Sequence, residues 1–292
     1  MFSLSQRHLK KVLFLADTQA GSRLSPYPPG LPLSKGGGWE LNEWQKYLWD
    51  KWENMMDLLP RRLDGFFHLG ETVQGPANQH HPTYELVTSD RLEQAAIAEA
   101  MLGPIVDKVK RHSSGVGRAF WVCRGSGWHE GPYGRAADDM ARNLGAQKFP
   151  DGEWAGDVLD LPIGPFNVNA AHHHPVFLRY PTSALERELQ WFSESDAQAE
   201  TEDGTIIEDY DLVARGHVHK YRLVDTGKSV AFTCPGWQLQ MRYVLQKNVA
   251  KAWPDLGFVL VYFDSVAKKH GRRGIWVERI LYPHPRRKAA RL

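Results

Sequence analysis

Short apolar runs alternate with segments of three- and four-residue periodicity through most of this chain. Val12-Leu-Phe-Leu-Ala16 is apolar throughout, as expected of a strand covered on both faces. The Pro- and Gly-rich stretch after it (Ser25 to Pro32, then Gly36 to Gly38) reads as loop. Leu41, Trp44, Leu48, Trp52, Met55 and Leu59 then recur at helical spacing, predicting an amphipathic helix over about 40–59. Asp64-Gly-Phe-Phe-His-Leu69 is the next strand. Asp90 and Glu93 resemble a capping box that opens a long helix, with Leu92, Ile97, Leu102, Ile105, Val106 and Val109 facing inward and Pro104 a candidate kink. Further strands are expected at Arg118–Cys123, Asn167–Ala171 and Asp211–Arg215. Helices are expected at Ala136–Leu144, closed by Gly145, and at Ser183–Phe192.

The pattern changes after Arg215. Ser229–Cys234, Phe258–Phe263 and Gly274–Leu281 follow with little helix between them, the last two as a hairpin. Helix-alternating strands followed by a mostly antiparallel half predict a two-sheet α/β sandwich with helices outside. No stretch has the composition of a linker. The chain therefore reads as one domain over 1–285 with a basic tail at 286–292.

Composition narrows the function classes. A formal net charge of +2 gives no general electrostatic case for nucleic acid, and the basic cluster Arg286, Arg287, Lys288 and Arg291 is the single hint of one. Glu194 to Asp211 holds eight acidic residues and no basic one, the signature of a solvated loop. Cys123 and Cys234, far apart in apolar runs, read as buried free thiols, and with no apolar leader or span they point to a reducing, cytoplasmic compartment. Eleven Trp is many, so part of the aromatic surface is expected to face a ligand or partner.

The chemistry lies where the strands end, because α/β ligand sites form beyond the carboxyl ends of strands. The five successive tips carry Asp17-Thr-Gln19, Gly70-Glu71, Arg124-Gly-Ser126-Gly-Trp-His129-Glu130, His172-His-His-Pro175 and Gly216-His-Val-His219. Neutral imidazole is the commonest protein metal ligand. Carboxylates and imidazoles without thiolates favour Mn, Fe, Zn or Mg. A carboxylate shared by two such ions clamps the attacking and leaving oxygens of phosphoryl transfer, with hydroxide as nucleophile and a nearby His as acid. Trp128, beside His129, could stack on a base or aromatic alcohol or pack under its loop, and packing is the expected role.

From Val12 to about Gln238 this order of motifs resembles the calcineurin-like metallophosphoesterase superfamily. More narrowly it resembles metallophosphoesterase-like proteins of tailed phages and prophages. The shared segments are Asp17-x-x-x-Gly21-Ser22-Arg23, Leu48-Trp49-x-x-Trp52, Arg124 to Gly131, His172-His-x-Pro175, Arg215 to Lys220 and Pro235-Gly-Trp-Gln-Leu239. The resemblance implies a four-layer αββα sandwich and a metal-dependent phosphomonoesterase or phosphodiesterase using two divalent ions, Mn foremost. It implies that Asp17, Gln19, Glu71 and His219 hold one ion, that Glu71, Ser126, His172 and His217 hold the other, and that His129 is the general acid. Arg23 and His173 are candidates for the substrate phosphate. Three positions depart from the family pattern, which has His at 19, Asp at 71 and Asn at 126. A weakened or non-catalytic binding protein, and a nuclease, are the competing classes.

Overall fold

The computed structural model describes residues 9–34, 36–77, 82–111, 117–173, 182–194, 199–200, 204, 206–207, 209–242 and 253–285. The basic tail at 286–292 lies outside them, as do His174 and Pro175 of the three-histidine run.

The first sheet contains β1 (Leu9–Leu15), β2 (Gly65–Leu69), β3 (Phe120–Cys123) and β4 (Ala155–Gly156), all parallel. It is completed by the antiparallel strands β12 (Leu256–Asp264) and β13 (Ile275–Tyr282), in the order β13-β12-β1-β2-β3-β4. The second sheet has β6 (Phe166–Ala171), β9 (Leu212–Arg215) and β11 (Val230–Thr233) parallel at its centre. The antiparallel β5 (Val158–Ile163) and β10 (Arg222–Asp225) form its edges. A two-stranded ribbon, β7 (Ala199–Glu200) with β8 (Ile206–Ile207), sits within the acidic stretch.

Alternation along the strands shows how the layers stack. Phe14 stacks on Phe67 and Phe67 on Trp121, and Phe14 meets Phe232 of the second sheet edge-on at 5.2 Å. These residues fill the space between the sheets. Phe66 and Phe120 stack on the opposite face and belong to one core with α2 (Arg91–Lys108) and α4 (Arg135–Asn143) through Ile97, Met101, Ile105 and Met140. In the second sheet Leu212 and Ala214 join that central core, while Val213 and Ala231 pack under Leu185 and Leu189 of α5 (Ser183–Glu194). The result is helix, sheet, sheet, helix. Strands covered on both faces are apolar at most positions, which is why their sequence shows little alternation.

Several local expectations are corrected. The capping box sits on α1 (Glu43–Leu58), where Asn42 and Gln45 cap each other reciprocally. At α2, Asp90 caps Leu92 N, but the Glu93 carboxylate turns instead to Ser34 N and Oγ. Leu92 is exposed, not inward. Five residues separate it from Ile97, a rotation of about 140° that carries it off the buried face. Helix α2 runs through Pro104 as one element. The later half is mostly antiparallel, as its pattern suggested, with β11 beside β9 the one parallel strand pairing among the described residues. The hairpin β12–β13 is present, with α6 (Ser265–Lys269) in its connection. Both cysteines are free and buried.

Candidate metal centre

All five strand tips converge. Beyond β1 and β2 the chain continues to pair, Asp17 N donating to Gly70 O, Gln19 N to Glu71 O and Ala20 N to Thr72 O. His217 N donates to Asp17 Oδ2 at 3.1 Å, and Trp237 N to Asp17 O. Approach this close leaves no room for side chains at two of the glycines. A Cβ on Gly216 would lie 2.5 Å from Leu69 O, and one on Gly125 would lie 2.4 Å from Glu71 N.

Backbone conformation marks the same residues. Among the described residues, six other than glycine have positive φ, and five of them are Asp17, Gln19, Glu71, His217 and His219. The left-handed region costs an L-residue roughly 1–2 kcal/mol. Such strain persists where surrounding structure enforces it, and it concentrates at functional sites.

Glu71, 3% exposed, is the hub, and its two oxygens face different partners. Oε2 accepts from Gln19 Nε2 at 2.5 Å and lies 3.9 Å from His219 Nε2, which is 3.3 Å from Asp17 Oδ1. Oε1 accepts from Ser126 Oγ at 3.0 Å and lies 3.3 Å from His172 Nε2, 3.6 Å from His129 Nε2 and 3.9 Å from His217 Nδ1. His172 Nδ1 donates to Leu69 O, which turns Nε2 into the pocket, 3.2 Å from His217 Nδ1.

The donor set fits a divalent cation. Asp17 Oδ1 and Gln19 Oε1 are buried and accept no hydrogen bond, His219 Nε2 standing near Asp17 Oδ1 without hydrogen-bond geometry. Buried acceptors left without a donor need an explanation, and a cation is one. The ligating atoms of Asp17, Glu71 and His172 lie within 4.8 Å of one another, as do those of His172, His173 and His217. Electrostatics point the same way. Burial alone would raise the Glu71 carboxyl and lower the imidazoles. Instead His172 and His219 hold Glu71 well below its ordinary value. Hydrogen bonding and charge from Glu71 raise His172 to about 9, and the Asp17 charge raises His219 to about 10. Protons are thus drawn to where positive charge is wanted.

His129 lies on the short helix α3 (Gly127–Glu130), its Nδ1 2.6 Å from the Gln74 carbonyl. Two residues to which the sequence reading gave no role fix that helix. Glu130, fully buried, accepts from Thr72 N, Thr72 Oγ1 and Gly125 N. Burial raises its carboxyl to about 7 in spite of these bonds. Arg91 Nε donates to the His129 carbonyl. The acid directly after His129 was a visible signal for the first; nothing local signals Arg91. Arg124 was also passed over. Its Nε is buried with no acceptor, and its guanidinium lies 3.6 Å from Asp157.

The weaker candidates divide. His173 stands at the rim, its ring 5.4 Å from that of His217. The Arg23 guanidinium turns to the Tyr84 carbonyl and the Trp39 ring, not to the Glu71 cluster. Trp128 is 50% exposed, where burial under its loop was expected.

No family model matches the chain, and no curated protein matches it. Among solved structures it is similar to an archaeal phosphodiesterase, at 10% identity and TM-score 0.42 over 93% of this chain and 99% of that one. A conserved protein of Streptococcus pneumoniae, a predicted phosphoesterase, aligns at 10% identity and TM-score 0.35 over 88% and 84%. Zinc-complexed Vps29 of Entamoeba histolytica aligns at 13% identity and TM-score 0.37 over 93% and 98%. Likeness at this level does not carry a functional assignment, which rests on the side chains. No helix among the described residues is long and apolar enough to cross a membrane.

Proposed function

We propose that this chain is a metal-dependent phosphoesterase acting on a phosphomonoester or phosphodiester. The observation that carries the reading is the division at Glu71: Gln19, Asp17 and His219 gather at one carboxylate oxygen, Ser126, His172 and His217 at the other. The same residues make up the two ligand sets that the resemblance implied, with Glu71 common to both, and this agreement supports the reading. Bound there, divalent cations, Mn first among Mn, Fe, Zn and Mg, supply Lewis acidity to a phosphoryl group and a nucleophile at neutral pH.

The remaining roles belong to the chain itself. The Gln74 carbonyl fixes a proton on His129 Nδ1, so Nε2, facing the pocket, is the atom that gains and releases one. In the imidazolium form it donates to the leaving oxygen. Glu130 and Arg91 hold the ring in place by pinning α3. His173, at the rim beside His217, is the candidate for a phosphate oxygen. We assign the protein, by its motifs, to the phage and prophage type and to the cytoplasm of the host cell.

One observation favours a second reading. The Gln19 amide donates to Glu71 Oε2, tying up an electron pair that an ion at that oxygen needs. A protein that keeps the fold but binds metal weakly and serves as a binding component would show this. A nuclease is the third reading and requires salt-dependent affinity for DNA.

Metal analysis of the purified protein, paired with hydrolysis of an aryl phosphate and an aryl phosphodiester, separates them. Two ions per chain are expected, with turnover lost in both Asp17→Ala and His129→Ala and metal lost only in the former. For His129→Ala the fall in kcat should be about 10²–10⁴-fold. No turnover of either ester with Mn, Fe, Zn, Co or Mg would leave the binding-protein reading standing instead.

A further inference from the structure

A second cleft, of ≈ 240 Å³, has walls from Leu24, Trp44, Glu85, Gln240, Arg242 and Trp253. It opens where the segment after Trp237 runs past the loop that follows β1, the two joined by Leu239 N donating to Leu24 O. None of the Glu71 cluster contributes to its walls.

Three polar atoms of its walls lack partners. Gln240 is 9% exposed, and neither its amide nitrogen nor its amide oxygen is hydrogen bonded. Glu85 accepts from Arg242 N through Oε1, while its Oε2 is buried and unpaired. Buried polar atoms left without a partner are unfavourable, so those of Gln240 and Glu85 at one small cleft call for a ligand that satisfies them.

We propose that this cleft binds a planar heteroaromatic ring of the nucleobase class. Trp44, which lines the cleft and is 39% exposed, offers a π-face for stacking. The Gln240 carboxamide offers a donor and an acceptor side by side, and Glu85 Oε2 a further acceptor. Together they match the mixed edge of a base. The volume falls below the roughly 300–1,000 Å³ of sites for drug-sized ligands and suits a single ring system. Arg242, one of the wall residues, holds its guanidinium over the Tyr84 ring. This assignment does not depend on the phosphoesterase reading.

Saturation-transfer NMR on the full chain, in chelator so that the Glu71 cluster is metal-free, tests it with guanosine, adenosine, cytidine and uridine. Ribose serves as the control without a ring. At least one nucleoside should bind at millimolar concentration or below while ribose does not. Gln240→Leu or Trp44→Ala should weaken that binding tenfold or more. Gln240→Leu removes an amide that has no partner, so its melting temperature should not fall, and a loss of binding cannot then be ascribed to unfolding. The inference is overturned if no nucleoside binds at millimolar concentration, or if neither substitution weakens binding tenfold.

Discussion

Glu71→Gln tests the metal centre at its hub. The substitution preserves shape and replaces an anionic carboxylate with a neutral amide. The ligand set of Ser126, His172 and His217 then has no anion at all, and the set of Asp17, Gln19 and His219 keeps one. Coulomb's law gives roughly 4 kcal/mol for unit charges 4 Å apart at an effective dielectric of about 20. Water reaches the His217 side of the pocket, where that side chain is 41% exposed, and halving the figure allows for it. About 2 kcal/mol per unit charge remains, doubled for a dication, so the expected loss is about three decades in affinity. Calorimetric titration with Mn should therefore fall from two sites to at most one weak site. Circular dichroism should show the fold retained, because a glutamine oxygen can still accept from Gln19 Nε2. Two sites at unchanged affinity in Glu71→Gln would refute the shared-carboxylate arrangement.

Two further substitutions probe the scaffold. Arg215, 3% exposed, donates to Glu188, to Asn169 and to the Ala214 carbonyl beneath α5. Arg215→Met strands the Glu188 charge and should cost about 3–5 kcal/mol in urea denaturation, with Arg215→Met/Glu188→Leu recovering most of it; equal losses in the single and double variants would mean the pair is not the cause. His68, buried with Nε2 3.0 Å from Thr18 Oγ1, is lowered to about 3 by burial and by the neighbouring His172 charge. The unfolded chain takes up this proton near pH 6.5 and the native state only near pH 3, so stability must rise with pH between these values. At about 1.4 kcal/mol per unit the span is at most roughly 4–5 kcal/mol. His68→Gln, denatured in chelator alongside the parent, should remove that part of the slope, and an unchanged slope would assign it elsewhere.

The sequence was most legible where function and local pattern coincide. Apolar runs located β1, β2, β3, β6 and β9, and the polar residue beyond each run located a ligand candidate, because a strand end and its loop are neighbours in the chain. Partners distant in sequence were not legible. Glu93 sits where a capping box belongs, yet it serves Ser34, 59 residues away. Trp128 was expected to be packed and is exposed, since whether a loop covers a side chain depends on the loop opposite. Glu130 and Arg91, which seat His129, make their bonds to Thr72, Gly125 and the His129 backbone, and only folding brings these together.

Taken alone, the amino-acid sequence determined which segments are buried from both sides, and so the layered α/β architecture, along with the kinds of donor at each strand end. Tertiary structure decided that Glu71 turns one oxygen to Gln19 and the other to Ser126, and that five ligand candidates take left-handed backbone conformations. It also decided that Gln240 and Glu85 share a second cleft. The reason is physical: hydrophobic periodicity is a local property of the chain, whereas the direction of a carboxylate oxygen is set by side chains packed against it from across two sheets.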